Sequence, residues 1–203
     1  MFQFKLRKGD LVNFQKLNNI IGNATLLFSK HGTQSISMDD IASHCGISKK
    51  TIYVYFESKE ILIKEIVQML LAESTETLDT IQNISSGPLV EMEHLFDNIQ
   101  KTIKTLTPFL IREIKQYYPN IYLFFLQFQE NTIIPFVIQN IKRGINENIY
   151  RDNLDSESVS LLYCWQLQNI FESTSVPMAI DKLLTHTNKL FLQGITLKLL
   201  VAL

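Results

Sequence analysis

A chain of 203 residues, 46% apolar and 19% charged, is long enough for one or two domains with a substantial core and too apolar to be disordered. Its net charge of -1 gives no support by itself to a polyanionic partner, and two cysteines make a disulfide framework improbable. Only 5 prolines and 7 glycines favour long helices over a turn-rich sandwich or barrel. No basic-then-apolar leader and no uninterrupted apolar run of about 20 residues is present, so a soluble, cytoplasmic protein is expected. Residues 1–10 carry Lys5, Arg7 and Lys8 without a clear period and read as a solvated tail, with a disordered arm the other reading. A first helix is predicted over 11–30, where Leu17, Ile20, Ile21, Ala24, Leu27 and Phe28 form one apolar stripe. Gly32 closes it, and residues 33–36 cross to the second helix.

Residues 37–59 read as two short helices joined by a tight turn. Ser37 is a good N-cap, with Asp40 in the capping-box position. Met38, Ile41, Ala42 and Cys45 recur on one helical face. Gly46 tolerates the left-handed backbone a tight turn needs, and Ile47 plugs the corner. Ser48 caps a second helix carrying Lys49, Lys50, Thr51, Tyr53 and Tyr55, in which Ile52 and Phe56 share the inner face. A helix-turn-helix with a basic second helix is a device for entering the DNA major groove. Charge distribution agrees: residues 1–60 hold eight Lys/Arg against five acids, whereas the remainder is net acidic. Ser58 is the expected cap of a fourth helix, where Lys59 opposes the helix dipole unless a phosphate sits beside it.

Ile20, Ala24, Leu27-Phe28, Gly32, Ser37 to Ala42, Gly46 to Lys49, Thr51 to Phe56 and Ser58-Lys59-Glu60 closely resemble the DNA-binding head of the TetR family of bacterial transcriptional regulators. The resemblance covers about residues 17–67. It implies an all-α fold of about nine helices: a DNA-binding head over 1–58 and a helical effector-binding and dimerisation body over 59–203. It also implies DNA-side roles for Ser37, Ser48, Lys49, Lys50, Thr51, Tyr53, Tyr55 and Lys59, with Lys59 in the place of the family's phosphate-contacting lysine. Three departures stand out. Lys50 replaces a frequent glycine and adds charge near the groove, Ile36 removes a hydroxyl near phosphate, and Asn23 replaces a usual alanine. Lysine can donate to guanine O6 and N7, the threonine methyl can meet thymine's, and a phenol can donate to phosphate. Tyr53 and Tyr55 also fit the edge of an aromatic core.

The fourth helix is predicted from Lys59 to about Ile81, linking head to body. Ser85-Ser86-Gly87-Pro88 breaks the chain, a fifth helix carries Leu89 to Ile103, and Thr107-Pro108 opens a shorter one ending near Pro119. From Asn120 to Ile141 the run is rich in phenylalanine and isoleucine, and should form one buried helix or two kinked at Pro135. It is too short and mixed for a membrane span, and its aromatics suit either core or a cavity wall. Asp155 caps a helix to about Ser173, a turn covers Ser173 to Pro177, and a last helix runs from Ile180 towards Leu200. These final helices hold more apolar surface than one small body needs, which the resemblance explains as a two-fold four-helix interface.

The expected partners are therefore double-stranded DNA with a palindromic operator, a second copy of the chain, and a small apolar or amphipathic effector, with no membrane and no cofactor. The expected function is a dimeric repressor released by that effector. An activator or effector-independent regulator with the same head, and a helical ligand carrier that no longer binds DNA, are the alternatives. His31, His44, His94 and His186 lack metal spacing, and no local catalytic motif is present, so no enzyme is expected.

Overall fold

The structure, a computed structural model, describes residues 8–172 and 180–197. In chain order its helices are α1 (Lys8–His31), α2 (Met38–His44), α3 (Lys49–Tyr55), α4 (Lys59–Ile84), α5 (Pro88–Thr105), α6 (Pro108–Tyr117), α7 (Pro119–Phe128), α8 (Ile134–Asn146), α9 (Ser156–Glu172) and α10 (Ile180–Ile195). A π-helical turn, Gln129–Ile133, joins α7 to α8 without a break, so the described residues form nine rods. No strand occurs among them, only an isolated bridge between Tyr150 and Thr196. The helix boundaries follow local chemistry. Ser37, Ser48, Ser58 and Thr107 each accept a hydrogen bond from a backbone N–H in the first turn of the helix they open. Gly32 (φ 80°) ends α1 and Gly46 (φ 66°) turns the chain between α2 and α3, both in the left-handed region that favours glycine.

Four expectations need correction. α1 starts at Lys8, inside the stretch read as a tail, and residues 1–7 lie outside the described set. The turn Ser173 to Pro177 and the end of the last helix at Leu199-Leu200 also lie outside it. The phenylalanine-rich run is not a buried helix. In α7 only Ile121 and Tyr122 are buried, while Leu123 stays 49% exposed. Its irregularity falls before Pro135 rather than at it: Ile134 N–H bonds to the carbonyl of Gln129, one residue further back than in an α-helix. That wider turn relieves the clash between the proline ring and the preceding carbonyls. The rod Pro119–Asn146 has 28 residues and is long and apolar enough to cross a bilayer, contrary to the expectation for this run. Gln127, Gln129, Glu130 and Asn131 occupy its middle, where a bilayer would penalise them most.

Two apolar clusters organise the fold. The first holds Ile20, Ala24 and Phe28 of α1, Ile41 of α2, Ile52 of α3 and Leu62 and Ile66 of α4, and it continues into Leu110 and Ile114 of α6 and Ile121 of α7. The head core is thus not closed by α1, α2 and α3 alone, since α4 and α6 form its floor. The second joins α4, α5, α8, α9 and α10 around Leu78, Met92, Val137, Tyr163 and Leu184. Both clusters share α4, whose 26 residues span about 39 Å. Within the body, buried Glu91 of α5 pairs with Arg143 of α8 at 2.5 Å, and Tyr150 lies against Gly144 where a Cβ would fall 2.1 Å from its ring. The ion pair holds α5 to α8, and the Tyr150 contact packs the segment after α8 back onto that helix.

Candidate functional site

α3 buries Ile52 against α1 and α2 and turns its opposite side outward. Lys49, Lys50, Tyr53 and Val54 are all exposed on that side, Tyr53 by 40% and Val54 by 77%. Lys49 Nζ lies 2.8 Å from Asp39 Oδ2 of α2 and 6.0 Å from the centre of the Tyr53 ring. This exposed pair fixes the lysine's direction more than it contributes stability. Asp39 and the Tyr53 ring hold the Lys49 ammonium above its usual pKa, with the Asp39 hydrogen bond the larger cause. Lys50 carries no ion pair among the described residues. Thr51 is half-buried; its N–H donates to Ser48 Oγ at 3.1 Å and the two hydroxyls lie 2.8 Å apart. Ser37 is exposed and closes a reciprocal capping box with Asp40, whose carboxyl is held below its usual range by the Ser37 hydroxyl and N–H.

Two of the residues expected at the DNA side point elsewhere. Tyr55 is half-buried, packs against the head core, and its hydroxyl donates to Asn13 Oδ1 of α1 at 3.2 Å. Lys59 Nζ donates to the carbonyls of Thr33 at 2.7 Å and Ile36 at 3.1 Å. Its charge therefore ties α4 to the loop between α1 and α2, an arrangement different from the phosphate contact expected from sequence. The same loop is gripped from α6, because Glu113 Oε2 accepts from both the N–H and the hydroxyl of Thr33, which is fully buried. Sequence reasoning missed Val54, an apolar tip beside Lys50, and Glu113, which lies 80 residues from its partner.

The body encloses a cavity of about 110 Å³ between α4, α5, α7, α9 and the π turn. Ile99, Ile103, Phe125, Phe128 and Leu167 are among the residues that line it, so some of the run's phenylalanines line a cavity rather than solid core. Ser74 and Asn98 bond to each other at one side, and Cys164 contributes a thiol pushed up to about 11 by burial, against an opposing hydrogen bond from Gln129. That thiol is protonated and unreactive at neutral pH. Glu172 is the only charged residue among the described residues that line the cavity. Burial raises its pKa, but hydrogen bonds from Lys115, Tyr122 and Gln168 outweigh it and the net shift is downward. Among the described residues no cluster of His, Cys, Asp and Glu has metal-binding geometry.

This geometry defines an all-helical protein with a helix-turn-helix head on a cavity-bearing helical body. Residues 20–66 match the family model described as bacterial regulatory proteins, tetR family. The chain is 29% identical over 90 residues to the HTH-type transcriptional regulator YvaF of Bacillus subtilis, covering 44% of this chain and 47% of that protein. It is 23% identical over 191 residues to the HTH-type regulator YerO of the same organism, covering 79% of this chain and 66% of that one. It thus spans less than two thirds of either relative's length. Among solved structures, a transcriptional regulator from Saccharomonospora viridis in complex with choline superimposes with TM-score 0.76 at 14% identity, over 91% of this chain and 100% of that one. A TetR-family regulator from Agrobacterium tumefaciens gives 0.74 at 17% identity, over 91% and 99%. Residues 20–66 are thus a TetR-type regulatory head by sequence, and the described chain as a whole shares the fold of those solved regulators. The relatives that the head matches are named as regulators of transcription, not as enzymes.

Proposed function

We propose that this regulator acts as a homodimeric repressor that holds a palindromic operator and releases it when a small apolar or amphipathic effector enters the body cavity. The observation that carries the DNA-binding part is the solvent side of α3, where Lys49, Lys50 and Tyr53 stand exposed while Ile52 is buried. Helix dimensions and the groove's width suit such a face to the major groove, with lysines for guanine edges or phosphates and the phenol for phosphate. Ser37, Ser48 and Thr51 shape and cap the ends of that unit. Tyr55 and Lys59 act here as positioning residues, holding α3 against α1 and the α1–α2 loop against α4. The proposed head is residues 1–58 and the proposed effector and dimer body residues 59–203.

Dimerisation is supported by an apolar stripe on the last two helices. Leu161, Leu162 and Trp165 of α9 are 41%, 54% and 58% exposed, and Leu190 of α10 is 68% exposed. Such side chains at helical spacing are what a two-fold interface buries. Two heads about 34–36 Å apart would then enter successive major grooves on one side of a palindrome. The cavity supports the effector, and one structural neighbour of the same fold was solved with choline. Release requires the effector to bind two body conformations unequally. Selection of duplexes from a random pool, followed by titration of the winner against salt, tests the core of the reading. A palindromic preference with a steep salt dependence is expected. Binding without sequence preference, or a protein that stays monomeric at working concentration, would refute it.

A further inference from the structure

The mouth of the cavity holds a cation already, and it comes from the chain itself. Lys115 of α6 places its Nζ 2.7 Å from Glu172 Oε2 and 5.2 Å from the centre of the Tyr122 ring. Tyr122 donates its hydroxyl to Glu172 Oε1 at 2.5 Å, and Gln168 donates to the same oxygen at 3.0 Å. An aromatic face and a carboxylate set around one ammonium are the elements of a cation site. Tyr122, Gln168 and Glu172 line the cavity, whereas Lys115 does not, and its side chain is 46% exposed. The other nearby cation, Arg112, is directed to the carbonyl of Phe171 at 3.3 Å and does not line the cavity either. Every other described lining residue is uncharged, and most are apolar. An anionic head group entering here would meet a carboxylate on the wall, with the one adjacent ammonium, Lys115, already paired to it. An ammonium would meet a carboxylate and a ring, while Lys115 has solvent to move into.

We infer that the effector class is an amphiphilic ammonium, whose apolar chain fills the cavity and whose cationic head takes the place of Lys115 between Glu172 and the Tyr122 ring. This rests on the reading of the cavity as the effector site. Displacing Lys115 removes a tie between α6 and the end of α9, and α6 is also the helix whose Glu113 grips the head loop. Binding and regulation are thereby joined in one helix.

The test uses the full chain and three probes of equal length: octylammonium, octanoate and octanol, each titrated by calorimetry. Octylammonium should bind about tenfold or more tighter than the other two, as one partly desolvated cation–π and ion-pair site supplies. Glu172→Gln should abolish that preference while octanol binding stays within about twofold, and Lys115→Met should tighten octylammonium. Equal binding of the three probes, tighter octanoate, no octylammonium binding, or a preference that survives in a folded Glu172→Gln protein would each overturn the ligand class. Operator affinity measured in the same samples separates the two readings. Octylammonium that binds with this pattern but leaves DNA affinity unchanged keeps the ligand class and refutes effector release. DNA release by octanol or octanoate without charge preference keeps effector release and refutes the ligand class.

Discussion

Glu113→Ala removes a carboxylate that serves two donors on one buried residue. Thr33 is fully buried, and both its N–H and its hydroxyl donate to Glu113 Oε2, the hydroxyl at 2.9 Å. Leaving the buried amide without a partner costs about 1–3 kcal/mol, and losing the hydroxyl's bond adds about 1 kcal/mol. The expected destabilisation is therefore about 2–4 kcal/mol, which for a chain of this size lowers Tm by about 4–16 °C. Glu113→Gln keeps an acceptor oxygen but loses its charge, so roughly half that loss is expected. Thermal unfolding followed by circular dichroism at fixed protein concentration measures both variants. Because Thr33 belongs to the loop that positions α2, the Ala variant should also bind its operator more weakly at temperatures where it is still folded. A Tm within about 1 °C of the parent for Glu113→Ala, or equal losses for Ala and Gln, would refute the reasoning.

Lys50→Ala should weaken binding to operator and lower the slope of log K against log salt by about one for each phosphate it ceases to neutralise, with Tm unchanged. An unaltered slope removes Lys50 from the DNA side. Trp165→Asp places a charge in the centre of the exposed α9 stripe and should raise the dimer dissociation constant at least about a hundredfold in sedimentation equilibrium, the scale of a hot-spot loss. A dimer that resists this change has its interface elsewhere. For Glu172 the folded pKa lies below the ordinary carboxylate value, so its contribution to stability is fully present above that value and is lost as the pH falls through the folded one. Acid unfolding of Glu172→Gln should accordingly show a shallower loss on that limb than the parent. Parallel acid limbs would show that Glu172 is not coupled to folding.

The head was legible in the sequence because its signals are local. Ser37, Ser48 and Ser58 each cap a helix within three residues of themselves, and Gly32 and Gly46 announce left-handed turns by their identity alone. Lys59 shows where such reading ends. Its position at a helix N-terminus is visible, but its partners are carbonyls 26 and 23 residues away, set by how α4 lies across the loop. Tyr55 likewise follows α3's periodicity to a half-buried side, where Asn13, 42 residues earlier, receives its hydroxyl. The run from Asn120 to Ile141 misled for a different reason. Hydropathy reports the wish to leave water and not what does the covering: Leu123 and Leu126 remain exposed, and Leu126 borders the cavity. The Glu172 corner joins residues up to 57 apart through side chains whose types, taken singly, are ordinary for surface helices.

Those long-range contacts converge on one short element. α6 has ten residues, yet its Glu113 holds the head loop and its Lys115 and Arg112 hold the end of α9. Lys59 of α4 holds the same loop from the other side, through the carbonyl of the residue whose amide Glu113 holds. The head is thus held on the body by two polar grips on Thr33, by hydrogen bonds of Ser29 with Thr105 and Thr107, and by a shared apolar floor. Apolar contacts slide at small cost, whereas a buried amide must keep its acceptor. A shift of α6 relative to α4 therefore has only two outcomes: the loop follows α6, or Thr33 loses its acceptor. Under the proposed effector release either outcome would be discrete, and a small movement at the cavity would become a change in where α3 points.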